Sequence, residues 1–218
     1  MSVAVDTPTV ERTRRALHAV AEHVLAGPEY RISKRIALRV VPGGFATLLP
    51  PNLRVEGATL VGGDQRLPIS GASPAELAHA VGVDGGPPGI YRDGSGVELD
   101  EVLDADPAAA AWIAECYRLG DAGLRALAPG EEPVLWPEHF DVGITVGEVN
   151  YGVSPGDGHH ADPYAYVGPH QRRAGGFWNA PFGAVRSMRS LTSPDQMLAF
   201  FTEGRAAAAA DPIAEGAS

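Results

Sequence analysis

Four histidines and three aspartates, His139, Asp141, Asp157, His159, His160, Asp162 and His170, crowd one stretch of this chain. Imidazole and carboxylate together suit zinc, iron or manganese, so a divalent metal is one cofactor these residues would take. His139, Asp141 and His159 form the candidate ligand set, with His160 as an alternative third ligand. The spacing carries none of the strong metal signatures: no His-Glu-x-x-His, no paired Cys-x-x-Cys. A second use is acid–base chemistry, with Asp141 orienting His139. A third is purely structural, a hydrogen bond that fixes the chain after Trp136-Pro137, because buried polar groups need partners. Ser154 lacks a Gly-x-Ser-x-Gly elbow and reads as part of a Ser-Pro-Gly-Asp turn, which argues against a Ser-His-Asp triad.

Aromatic residues gather in the same region: Trp136, Tyr151, Tyr164, Tyr166, Phe177, Trp178 and Phe182. Pockets are mostly apolar with a few placed polar groups, and this set could line one or form a core. Arg172-Arg173 could form an anion-binding lid or a solvated loop. No Gly-x-Gly-x-x-Gly opens a helix and no Walker-type Gly-Lys-Ser/Thr occurs, which excludes the common nucleotide sites.

The element that must position these groups is a hairpin over residues 141–154. Alternation puts Phe140, Val142, Ile144 and Val146 on one face and His139, Asp141, Gly143 and Thr145 on the other. Gly147-Glu148 fits a two-residue II′ turn, which takes glycine first. That turn sets Val146 opposite Val149, Ile144 opposite Tyr151 and Val142 opposite Val153. On the other face it pairs Thr145 with Asn150, Gly143 with Gly152, and Asp141 with Ser154. The resulting candidate ligand site is a bare patch of two glycines, Gly143 and Gly152. Around it stand His139, Asp141, Thr145, Asn150 and Ser154, with Trp136, Tyr164, Tyr166 and Trp178 as aromatic walls. The glycines would admit a ligand, or an aromatic ring from elsewhere in the chain, close to the backbone.

Elsewhere the pattern predicts an α+β fold: two helix-flanked antiparallel β-sheet modules, merged into one body or separate. The first, residues 1–83, opens on a helix capped at Thr7-Pro8 and stopped by Gly27-Pro28. Its outer side carries Glu11–Arg15 and His18–Glu22 at i,i+4. A meander follows over Ile36–Val40, Phe45–Leu49, Arg54–Val61 and Arg66–Ser70, then a short helix from the capping box Ser73–Glu76. Residues 84–105 are acidic and rich in Gly and Pro, and read as a linker. The second module, residues 106–205, starts with a helix capped by Asp106-Pro107, which Gly120 and Gly123 weaken enough for a break. It continues through the hairpin and strands near Tyr164–Gly168 and Phe182–Arg186 to a helix capped at Ser193. The Ala-rich residues 206–218 read as a disordered tail.

With 218 residues, 44% of them apolar, the chain can bury a proper core. A net charge of −10 argues against nucleic acid as a partner, since that needs a basic footprint. The acid is concentrated in residues 84–132 and the base in the opening segment, which read as ordinary solvated surface charge or as two opposite faces that would complement each other in a homodimer. One cysteine, Cys116, cannot form an internal disulfide and falls on the apolar stripe of a helix. The first residues lack a basic-then-apolar leader and no apolar run approaches ~20 residues, so a soluble, cytoplasmic protein without a membrane partner is expected.

Two stretches also resemble known families. The first runs from Leu17-His18-Ala19-Val20-Ala21 through Ile36-Ala37-Leu38-Arg39-Val40, Gly43-Gly44-Phe45 and Arg54-Val55-Glu56-Gly57 to Ser73-Pro74-Ala75-Glu76-Leu77. It resembles the C-terminal, sterol-carrier-like domain of the mycothiol-dependent maleylpyruvate isomerases. That family keeps its metal and catalytic residues in a separate N-terminal helical bundle with no counterpart here, so the resemblance transfers no catalytic residue. The second comprises Leu135-Trp136-Pro137-Glu138-His139-Phe140-Asp141, Tyr151-Gly152-Val153-Ser154-Pro155-Gly156-Asp157 and Asp162-Pro163-Tyr164-Ala165-Tyr166-Val167. It is similar to an uncharacterised bacterial domain family seen mainly in actinobacteria, and brings no activity with it. Three functions stand side by side on these readings. The leading one is non-catalytic binding of a small, partly apolar ligand anchored by His139 and Asp141. The others are a metal-assisted hydrolase or isomerase using His139, Asp141 and His159, and a homo-oligomeric interaction scaffold using the acidic face.

Overall fold

The computed structural model describes residues 5–214. It is an α+β fold built on one antiparallel sheet of ten strands rather than two. The strands are β1 Leu38–Val41, β2 Gly44–Thr47, β3 Leu53–Glu56, β4 Thr59–Gly62, β5 Gln65–Pro68, β6 Val134–Trp136, β7 Asp141–Val146, β8 Val149–Ser154, β9 Tyr164–Pro169 and β10 Ala184–Ser187. They lie in the order β10-β9-β8-β7-β6-β1-β2-β3-β4-β5. The two expected meanders join at their first strands, where Leu38 pairs with Leu135. Both leucines are fully buried, so the seam between the halves is itself core.

The helices are α1 Thr7–Val20, α2 Gly27–Ser33, α3 Pro74–Ala80, α4 Pro107–Leu127 and α5 Pro194–Ala210. Helix α4 packs across β1, β2, β7 and β8 and against α1 and α5, bridging both halves of the sheet. Gly120 and Gly123 do not break it. A Cβ on Gly120 would lie 2.6 Å from Val153 Cγ2, and one on Gly123 would lie 2.7 Å from Met197 Cβ. The glycines are where the sheet and α5 come closest to α4, so packing offsets the ~1 kcal/mol propensity cost of each.

The first helix departs from expectation at both ends. Its N-cap is Asp6, whose carboxylate accepts from Thr9 N at 2.8 Å. Gly27-Pro28 does not stop it; residues 21–26 form a π-helical segment that leads into α2. Proline lacks an N–H and its ring clashes with the preceding turn, and a widened turn accommodates both. The expected strand over Arg54–Val61 folds back on itself as β3 and β4, turning at Gly57 with φ +56°.

Residues 84–105 carry no helix or strand, yet they are not a free spacer. Gly86 N donates to His23 O at 2.9 Å, Leu103 N to Ala72 O at 2.9 Å, and Val97, Leu103 and Ala105 are buried. The opposite charges read from the sequence meet within the chain. Arg12 pairs with Asp104 at 2.6 Å, Arg15 with Glu101, and Arg31 with Asp84 at 3.3 Å. This satisfies internally the complementarity that a homodimer was expected to use.

The Ala-rich end is ordered as far as residue 214; residues 215–218 lie outside the described part. Helix α5 runs to Ala210 with Ala208 buried, and Trp178 Nε1 donates to Asp211 Oδ2 at 2.8 Å. At the outer margin of β10, Asn179 holds Val185 in both directions. Val185 N donates to Asn179 Oδ1 at 2.8 Å, and Asn179 Nδ2 donates to Val185 O at 3.1 Å. None of the described helices is long and apolar enough to cross a membrane.

Candidate functional site

The hairpin has the expected register: Val146 faces Val149, Ile144 faces Tyr151, Val142 faces Val153, Thr145 faces Asn150 and Gly143 faces Gly152. The ladder ends there, without an Asp141–Ser154 pair. Gly147 and Glu148 both have positive φ, +58° and +61°, so the turn is type I′ rather than II′. Val142, Ile144, Tyr151 and Val153 are buried in the main core. Asp141, Gly143, Thr145, Asn150, Gly152 and Tyr166 share the opposite face, since strand neighbours alternate and paired residues project together.

The hollow above the two glycines is filled. Tyr166 on β9 pairs with Gly152 and lies across it; a Cβ on Gly152 would come 2.4 Å from the Tyr166 hydroxyl oxygen. One on Gly143 would come 3.0 Å from the same atom. The bare patch therefore receives a ring of the protein itself rather than a ligand. From there the Tyr166 hydroxyl donates to Asp141 Oδ2 in a short hydrogen bond. The other oxygen, Asp141 Oδ1, is shielded from solvent and has no hydrogen-bond partner. Burial raises the Asp141 pKa above the usual aspartate value, opposed by the Tyr166 hydrogen bond and by His139 nearby.

Asp141 lines a cavity of about 830 Å³ between α1 and the strand ends of β7–β9. His139, Asn150, Ser154, Tyr164 and Tyr166 line it too. Trp136, Gly143 and Thr145 line a neighbouring groove of about 580 Å³, which His139, Asp141, Asn150 and Tyr166 share. Gly152 lies beneath Tyr166 and borders neither. Trp178 is elsewhere, packed edge-on against Phe177 and tied to Asp211.

His139 is not on the strand, because β7 starts at Asp141 and residues 137–140 form a turn. That turn is held from beneath. Phe140 adopts φ +54°, unusual for a residue with a Cβ, and costs about 1 kcal/mol. Tyr117 on α4 donates its hydroxyl to Phe140 O at 2.5 Å. His18 on α1 stacks on the Phe140 ring with centroids 5.0 Å apart, and its Nε2 donates to Pro137 O at 2.7 Å. Burial pushes the His18 pKa down to about 4, so the ring is neutral at pH 7.

Sequence reasoning missed the wall contributed by α1 and the 93–95 segment. Glu11, Arg14, Arg15, His18, Asp93 and Ser95 all line the cavity. The pairs Glu11–Arg15 and His18–Glu22 looked like solvent-facing partners, but each residue reaches elsewhere. Arg15 binds Glu101 and Gly96 O, and Glu22 accepts from Ser95 N at 2.9 Å and Ser95 Oγ at 2.6 Å. Gly94 allows that contact, since a Cβ there would sit 2.1 Å from Glu22 Oε1. The signal that could have drawn attention here was Pro28 inside a helical pattern, which forces the irregular turn around Glu22 and His23.

The candidate metal set does not assemble. Among the described residues no group of three His, Cys, Asp or Glu side chains could hold an ion. His159 packs edge-on against Phe182 at 5.1 Å, and His160 bonds Asp162 O through Nδ1 at 2.8 Å. Asp157 is engaged by Tyr164 Oη at 2.5 Å and by the backbone N–H groups of His159 and His160. Burial opposes ionisation of Asp157, yet these donors together hold its pKa below the usual value. Cys116 is buried, and burial pushes its thiol up to about 12, so it remains a protonated core residue. What the site can do chemically is hold a polar group against Asp141 within an aromatic-walled cavity. No family model, curated protein or solved structure matches the chain.

Proposed function

We propose that this protein binds a small, partly apolar molecule in the cavity between α1 and β7–β9, with Asp141 as its polar anchor. One observation carries the reading: a shielded carboxylate lines the cavity with one oxygen bonded to Tyr166 and the other unpartnered. An unpaired buried acceptor costs about 1–3 kcal/mol, a cost tolerated where a ligand supplies the missing donor. The cavity volume falls within the range of small-molecule sites. Tyr164 and Tyr166 supply apolar wall, and His139 stands exposed at the cavity as a second polar contact.

A thermal-shift screen of the whole chain against metabolites and lipids tests this reading. Compounds should raise the melting temperature of the native protein and lose that effect in Asp141→Asn. A screen without hits, or hits indifferent to Asp141→Asn, would overturn it.

A further inference from the structure

The cavity holds a second side chain with an unpartnered buried atom, and resting on the binding reading above it specifies the ligand's chemistry. Three arginines follow closely along α1. Arg12 is paired with Asp104 at 2.6 Å, and Arg15 with Glu101 and Gly96 O. Arg14 is different. Its side chain is 17% exposed, and its one ion pair among the described residues is a long one, 3.8 Å from Nη2 to Glu11, which lines the same cavity. Its Nη1 is buried with no hydrogen-bond partner. A guanidinium cannot shed its proton to escape that situation.

The chain is shaped to keep it there. A Cβ on Gly156 would stand 2.8 Å from Arg14 Nη1 and 2.3 Å from Ala161 O, and Gly156 adopts φ +102°. Glycine at this position lets the loop close against the guanidinium. Arg14 and Asp141 line the same cavity, and no ion pair joins them. Two opposite charges held apart in a partly desolvated space would ordinarily collapse together or be solvated. Of the other basic side chains on the cavity, Arg15 is paired with Glu101, His18 is neutral and bonded to Pro137 O, and His170 bonds Asn150 Oδ1 at 3.2 Å, which leaves His139, exposed at the rim.

We infer that the ligand is bipolar: a carboxylate or phosphate at Arg14, an N–H or O–H donor at Asp141, and an apolar or aromatic body between them. The anionic end takes a charge-assisted bond from the part of the Arg14 guanidinium that remains exposed, and the donor completes the Asp141 carboxylate. His18 and the Tyr164 and Tyr166 rings face the body of the molecule.

The test is a ligand-observed NMR titration of the whole chain with a matched probe series. L-phenylalanine and 3-phenyllactate carry both functions, 3-phenylpropionate only the acid, and 2-phenylethanol only the donor. Phenyl phosphate separates a phosphate preference from a carboxylate one. The bifunctional probes should bind about tenfold or more tightly than either monofunctional one, a step typical of one charge-assisted contact. Arg14→Gln should abolish the advantage of the acid and leave that of the donor; Asp141→Asn should do the reverse, and Arg14→Lys should restore part of the first. If 2-phenylethanol binds as tightly as phenyllactate, the bipolar inference falls while small-molecule binding stands. If no probe binds, the bipolar inference falls, while the binding reading is decided by the thermal-shift screen. The probe ranking in the native protein decides without any variant, and circular dichroism shows whether Arg14→Gln remains folded.

Discussion

At the scale of single residues, the candidate site works against the fold that carries it. Asp141 has one oxygen satisfied by Tyr166 and one left without a partner, and burial raises its pKa. Asparagine keeps the shape and the acceptor for Tyr166 while removing the desolvated charge. Asp141→Asn should therefore raise stability at neutral pH, by about 1 kcal/mol, while ligand binding is lost. Chemical denaturation at pH 7 beside the thermal-shift screen measures both effects, and a destabilised variant would count against the strained-anchor account. His18 makes a complementary prediction. Its folded pKa of about 4 lies below the ordinary histidine value of 6.5, so below that value the unfolded chain takes up a proton that the native state refuses. Stability present above pH 6.5 should fall as the pH drops toward 4, by up to about 3 kcal/mol. Urea denaturation across that window should show a shallower fall in His18→Gln.

At the scale of elements, strand register was readable in advance and helix contacts were not. The period of two and a two-residue turn at Gly147-Glu148 fix the hairpin, and its five cross-strand pairs follow from that pattern. The turn type was missed because Glu148 takes φ +61°, a conformation more often met in glycine or asparagine. The occupant of the glycine patch was foreseen only as one of two options. That it is Tyr166 depends on β9 pairing beside β8, a tertiary fact. Arg14 and His18 escaped for a stronger reason. His18 bonds Pro137 and Arg14 packs against Gly156, each more than a hundred residues along the chain, where helix periodicity says nothing. Glycines in α4 were misread because propensity sees only the helix, whereas Gly120 is a contact point with Val153. Gly120→Ala should accordingly destabilise the protein by about 1–3 kcal/mol despite alanine's better helix propensity. An increase in the denaturation midpoint would refute that contact.

At the scale of the whole molecule, the two helix-and-meander modules read from the pattern are merged on one ten-stranded sheet over one continuous core. Sequence could show two helix-and-meander patterns; it could not show that β1 and β6 meet edge to edge, since a single pair, Leu38 with Leu135, makes the seam. The margins of such an open sheet are the places where another copy could add a strand. One margin, β5, is four residues long and carries Arg66 and Pro68. The other is occupied by Asn179, whose amide takes both backbone groups of Val185 as a neighbouring strand would. That single side chain occupies the two backbone groups to which an added strand would bond at this position. Asn179→Ala should leave the monomer folded but let it accumulate into larger, β-rich assemblies at high concentration, seen by light scattering and thioflavin fluorescence. Resistance of this open-edged architecture to strand addition would then be owed, on one side, to a molecular imitation of the very partner it turns away.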